Sequence, residues 1–189
     1  MKRLIIFFLA AVTLSSCGYN TMVEKDEGIK GAWAKVESQY QRRSDLIPNL
    51  VETVKGYAEF EQETLTGVIE ARSKATSVQI NADNLTPEAI ANFQQAQGEL
   101  SGALSRLLVS VERYPDLKAS QQFSQLQAQL EGTENRIAVA RDRFNEEVRD
   151  YNSYIRKFPK NIVAGMFDFD QKGYFEADAG TENAPKVDF

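Results

Sequence analysis

The chain has 189 residues, with 22 Lys and Arg against 27 Asp and Glu, one cysteine and no histidine. Without histidine there is no Ser-His-Asp or Cys-His mechanism and no His-ligated zinc, and a single cysteine excludes an internal disulfide or a Cys-ligated structural metal. A formal net charge of −5 argues against nucleic-acid partners, whose capture rests on clustered Lys and Arg releasing counterions.

The N-terminus has the layout of an export signal, Lys2-Arg3 followed by the apolar run Leu4 to Val12. The run is interrupted by Thr13, Ser15 and Ser16 before reaching the roughly 20 apolar residues a spanning helix needs. It closes on Leu14-Ser15-Ser16-Cys17, which resembles the lipobox of bacterial lipoproteins, so Cys17 is expected to carry lipid and become the new N-terminus. Loss of Lys2 and Arg3 leaves 20 basic against 27 acidic residues, a mature charge of −7. A surface so acidic discourages lying flat on anionic lipid. Roughly 170 mature residues suit one domain with a continuous core. The expected division is 1–16 signal peptide, 17–22 anchor and short tether, 23–158 helical bundle, and 159–189 aromatic-rich extension with a frayed tail.

In the N-terminal third one heptad-like register runs from Ile29 through Trp33, Val36, Tyr40, Arg43, Ile47, Leu50, Val54, Tyr57, Glu61 and Val68 to Arg72. Two structures satisfy it. Either Asp45 caps a new helix with Pro48 in its first turn, or one long helix kinks at Pro48 at a cost of about 3 kcal/mol. The cap carries no such penalty, so two helices are expected. The next helix should open at Thr86-Pro87, with Thr86 as N-cap, and present a face through Ile90, Phe93, Leu100, Leu104, Leu107, Val111 and Tyr114. A Pro115-Asp116 corner then turns the chain into an antiparallel partner. That partner, Leu117 to Phe158, carries a stripe through Phe123, Leu126, Leu130, Thr133, Ile137, Ala140, Phe144, Val148, Tyr151, Ile155 and Phe158 and would be a rod of about 60 Å. After Phe158-Pro159 periodicity stops. A short helix over 161–166 is expected to cross the bundle end, with Phe167 and Phe169 inserted beneath it.

Several segments together resemble the LemA family: Tyr19-Asn20, Arg42-Arg43-Ser44-Asp45-Leu46-Ile47-Pro48-Asn49-Leu50-Val51, Val54-Lys55-Gly56-Tyr57, Glu61, Leu65, Ala71-Arg72, Tyr151-Asn152, Phe158-Pro159 with Ala164 and Phe167, and Tyr174-Phe175. The resemblance implies an all-α, up-and-down antiparallel four-helix bundle of unestablished biochemical role, often tethered by an N-terminal hydrophobic segment. Here a lipobox stands where the spanning helix would be, which keeps the bundle outside the cytoplasm.

Glu61 and Arg72 fall on the apolar stripe about 16 Å apart along the axis, too far to pair with each other. Glu61 could be a general acid or a metal ligand, but buried charges of this kind more often pair across helices and fix register. Arg43, Asp45, Pro48 and Asn49 form either a partner-recognition loop or a cap, and capping is favoured because arginine complements a helix C-terminus. The aromatic cluster of Phe167, Phe169, Tyr174 and Phe175 is the best candidate for an exposed docking patch, the alternative being that it closes the bundle end. The expected function is a non-enzymatic, membrane-anchored lipoprotein of the cell envelope, periplasmic or on the outer membrane in a diderm host. It would present a rigid helical surface to another envelope protein as scaffold, adaptor or modulator, with no cofactor and no metal. The alternatives are a carboxylate enzyme with Glu61 in a pocket and a coiled-coil array on the membrane.

Overall fold

Helix periodicity without paired glycines produces helices throughout, and a computed structural model describes residues 2–57 and 61–177, with side chains from residue 18 onward. Six helices follow one another: α1 (Lys2–Lys55), α2 (Gln62–Ser77), α3 (Pro87–Val111), α4 (Pro115–Lys118), α5 (Gln121–Arg156) and α6 (Lys160–Met166). Among the described residues there is no strand, and no helix is long and apolar enough to cross a membrane.

The expected break at Pro48 does not occur, because α1 is a single helix of 54 residues with Pro48 inside it. Proline has no N–H, so the Ser44 carbonyl four residues earlier loses its intrahelical donor. Arg72 on α2 fills that place, its Nε donating to the Ser44 oxygen at 2.9 Å. A hydrogen bond from a charged group contributes about 1.5–3 kcal/mol, which offsets much of the proline penalty. Asp45, exposed on α1, caps nothing and accepts from Gln41 at 2.8 Å. The turn lies further on, at Gly56-Tyr57. The anchor-side tether is also absent as a separate element: residues 18–22 are helical and Met22 is fully buried.

Charged contacts give the directions of the helices. Gly28 lies against Glu147 and Arg43 against Glu134, so α1 and α5 are antiparallel. Glu61 pairs with Arg113 and Lys74 with Glu99, so α2 and α3 are antiparallel too. Trp33 packs on Phe93 and Arg43 reaches Ser101, so α3 runs alongside α1 in the same direction.

Thr86 caps α3 by accepting from Ala89 N–H at 3.2 Å, with Pro87 in the first turn, as its sequence predicts. The corner after Tyr114 holds a turn of helix, α4, and Ser120 caps α5 by accepting from Phe123 N–H. The expected single helix from Leu117 is therefore divided. At 36 residues α5 is about 54 Å long. Its buried face is the expected stripe, Phe123, Leu130, Thr133, Ile137, Ala140, Phe144, Val148, Tyr151 and Ile155, whereas Phe158 lies beyond the helix and is 81% exposed.

The core has two halves. One joins α1, α2, α3, α4 and α5 through Leu50, Val54, Leu65, Val68, Leu107, Leu117 and Phe123. The other joins α1, α3, α5 and α6 through Met22, Ile29, Trp33, Phe93, Phe144, Tyr151 and Ala164. Because α2 ends at Ser77, the space beside this second half is filled by Val78, Ile80 and Leu85 and by Phe175 from the C-terminal segment. Four edge-to-face contacts and one stacked contact bind Trp33, Phe93, Phe144 and Phe175 to one another, each worth about 0.5–1.5 kcal/mol beyond area burial.

Candidate functional site

Arg43 sits in the midst of the helices with only 1% of its surface exposed. Its Nη1 donates to Ser101 Oγ at 2.7 Å and Glu134 Oε1 at 2.9 Å. Its Nη2 donates to the Gln97 carbonyl at 3.2 Å and Gln97 Oε1 at 2.6 Å, and the guanidinium lies 5.0 Å from the Tyr40 ring centroid. The planar fork thus ties α1 to α3 and α5 at one level, which a single ammonium could not do. This corrects the capping role expected for Arg43, since α1 has no end there. Gln97 is itself buried and donates to the Ala75 carbonyl at 3.2 Å, which extends the network to the end of α2.

The other residues singled out from sequence are dispersed. Glu61 is the N-cap position of α2 and pairs with Arg113 at 2.8 Å. The stripe reading misplaced it, because the turn at Gly56-Tyr57 resets the helical phase. Pairing exposes 41% of the Glu61 side chain and 62% of the Arg113 side chain, so this is a surface ion pair worth about 0–1 kcal/mol. Arg72 donates to the Ser44 carbonyl, and no ion pair is found for it among the described residues. Pro48 and Asn49 are exposed on α1. Phe167 is 55% exposed and so not inserted beneath α6, whereas Phe169 is partly buried against the core half that includes Ala164; both rings make edge-to-face contacts with Tyr19, at 4.9 and 5.6 Å. The Cys17 side chain lies outside the described residues.

Sequence reasoning missed how the C-terminal segment is held. After α6, Asp168 takes a left-handed conformation with φ 56°, and Phe169 N–H returns to the Ala164 carbonyl at 3.0 Å. This is a Schellman-type stop with aspartate where glycine is usual. The chain then runs extended back along the helices. Asn152 accepts from Lys172 N–H and donates to its carbonyl, and Asn145 does the same for Phe175. From α3, Gln94 grips Glu176 in the same two-point manner. Each side-chain amide supplies one donor and one acceptor, as a neighbouring strand would. Between them Gly173 N–H donates to the Leu85 carbonyl at 2.9 Å, and a Cβ on Gly173 would stand 2.6 Å from Pro87 Cα. The signal available in sequence was the Asn145-Asn152 spacing of seven, one face of α5 beside its apolar stripe.

Electrostatically, the second core half is flanked by a small network. Lys30 bonds Asp83 at 2.8 Å, Glu27 at 3.0 Å and Asp26 at 3.3 Å, and Lys172 reaches Asp26 at 3.1 Å. These hydrogen bonds, led by Asp83, hold the Lys30 ammonium above its ordinary range. A cleft of about 460 Å³ on the outer α1–α5 surface is lined by Lys35, Gln39, Arg136, Val139, Arg143 and Glu147. Among the described residues no group of three or more Cys, Asp and Glu is placed to hold a metal ion.

The chain is similar to Protein LemA of Metamycoplasma hominis, with 26% identity over 92% of this chain and 77% of that protein. It is similar too to magnetosome protein MamQ of Magnetospirillum gryphiswaldense, 26% identical over 90% of this chain and 69% of that protein. Magnetosome protein MamQ 1 of Paramagnetospirillum magneticum is 25% identical over 91% of this chain and 68% of that protein. None of these relatives bears the name of an enzyme. The family pattern spans residues 32–189, and so takes in the Arg43 network, the Ser44-Arg72 contact and the clamped C-terminal segment: the chain belongs to the LemA family.

Proposed function

We propose that this LemA-family chain is a non-enzymatic lipoprotein of the cell envelope, anchored through lipid on Cys17, whose α1, α2, α3 and α5 form an up-and-down four-helix bundle that serves as scaffold, adaptor or modulator for another envelope protein. The observation that carries the reading is the Leu14-Ser15-Ser16-Cys17 sequence, followed within two residues by helical chain that continues without a break into the core. An anchor coupled so directly to a rigid rod would fix the body's height and orientation over the bilayer, which a presenting surface needs and a freely diffusing enzyme does not. Relatives with different names share the chain at about a quarter identity, which favours a common body lent to different assemblies.

The enzyme alternative loses support because Glu61 is engaged in a surface pair with Arg113. The array alternative needs a second apolar stripe on α5, and there the one exposed large apolar residue among the described ones is Val139. Fractionation tests the anchor: Cys17→Ser should fold normally and leave the membrane pellet. Retention of the serine variant after carbonate washing would overturn lipid anchoring. Crosslinking of the intact chain in cells, followed by identification of its neighbours, tests the scaffold role.

A further inference from the structure

The exposed large apolar residues are unevenly distributed. Phe158 (81%), Met166 (72%), Phe167 (55%) and Ile162 (54%) lie together on and beside α6, where Ile162 and Met166 are one helical turn apart on the outward face while Ala164 faces the core. Tyr19 and Val23, also exposed, adjoin them, since the Tyr19 ring is 4.9 Å from Phe167. Arg156, Lys157 and Lys160 border this surface at the start of α6, with Lys160 held over the Tyr154 ring at 3.7 Å, while the exposed Asp168 and Asp170 follow Phe167 beyond its end. Apolar and aromatic side chains rimmed by Lys and Arg are the composition of a surface that enters a lipid head-group region.

Its location identifies the occupant. Tyr19 is two residues from Cys17 and five from the end of the apolar N-terminal run, which along a helix is about 3 Å and 8 Å. The patch is therefore level with whatever anchors the chain. We infer that α6 and its flanking residues Phe158 and Phe167 form a membrane-docking face, on which the body stands with its base in the head groups of an anionic bilayer. This rests on the anchoring proposed above. It adds a second point of contact, which turns a tether into a defined orientation. Charge acts in the same direction, because the basic rim is at the base while the chain as a whole is acidic and its remaining surface is repelled by anionic lipid.

The full chain, reconstituted into phosphatidylcholine–phosphatidylglycerol vesicles with brominated acyl chains, provides the test. Trp33, its single tryptophan, is buried and gives a constant background. Phe158→Trp should add fluorescence that is blue-shifted and quenched by the bromines, and the quenching should weaken when phosphatidylglycerol is omitted. Val109→Trp, at an exposed position near the far end of α3, should add unquenched fluorescence. Vesicle flotation separates the two claims. A chain that floats while the tryptophan introduced at position 158 stays unquenched, as it would beneath a partner protein or a second copy, overturns docking and leaves anchoring intact. Equal quenching at both positions means the body lies flat and overturns a standing orientation. A chain that does not float overturns anchoring, and docking with it.

Discussion

Replacing Arg43 probes the two halves of the core at their junction. In Arg43→Ala Gln97 Oε1 and the hydroxyl of Ser101 lose their donor, whereas the Gln97 carbonyl still accepts from Ser101 Oγ at 3.2 Å; each buried group left unmatched costs about 1–3 kcal/mol. Glu134 also loses its partner, but with 44% of its side chain exposed it can rehydrate, so the full penalty of a stranded buried charge does not apply. Breaking a buried pair typically costs about 3–5 kcal/mol, and the exposure of Glu134 puts Arg43→Ala at the lower end, about 3 kcal/mol. Arg43→Met keeps most of the volume but, like alanine, leaves Gln97 Oε1 and the Ser101 hydroxyl without their donor, so it should recover only the packing part, less than half of that loss. Urea denaturation at constant m measures both. At this chain length about 3 kcal/mol corresponds to a fall in Tm of about 6–12 °C. A loss under about 0.5 kcal/mol for Arg43→Ala, or methionine restoring nearly all of it, would refute the account of Arg43 as a desolvated fork whose partners, more than its charge, set the cost.

Arg72→Ala should cost about 1–2 kcal/mol in the natural chain and distinctly less in a Pro48→Ala background, where residue 48 regains the N–H that the Ser44 carbonyl lacks; a double-mutant cycle showing no coupling would refute the compensation. Gly173→Ala, which forces a Cβ against Pro87 Cα, should release the C-terminal segment and expose Phe175, read as faster cleavage by protease after residue 172 and a lower Tm. Burial, assisted by the charges of Asp26 and Asp170, raises the Tyr151 phenol above its ordinary value of 10.0. A raised folded value means stability is unaffected below pH of about 10 and falls as pH climbs beyond it. Tyr151→Phe should abolish this alkaline loss. At neutral pH it should change stability by less than about 1 kcal/mol, because the hydroxyl has no hydrogen-bond partner among the described residues.

From sequence alone came whatever depends on local pattern. The α5 stripe, the Thr86-Pro87 start of α3, the short helix before Phe167 and the core positions of Trp33 and Tyr40 are all set by spacing and capping chemistry, which act within a few residues. Family membership was legible for a similar reason, because the Arg42 to Val51 stretch and the Tyr174-Phe175 pair are contiguous strings. Tertiary structure decided what depends on groups far apart in the chain. Pro48 was read as a boundary because a proline inside a helix strands a carbonyl, and nothing near it in sequence relieves that; the relief comes from Arg72, 28 residues away. Arg43 looked like a capping residue while its helix was thought to end beside it, and only the approach of Gln97, Ser101 and Glu134 makes it a buried junction. Glu61 was placed on a stripe by extrapolating one helical phase across a turn. The clamped C-terminal segment has no periodicity of its own, since its order is supplied by Gln94, Asn145 and Asn152, whose amides pair with its backbone and so leave no mark on its side chains.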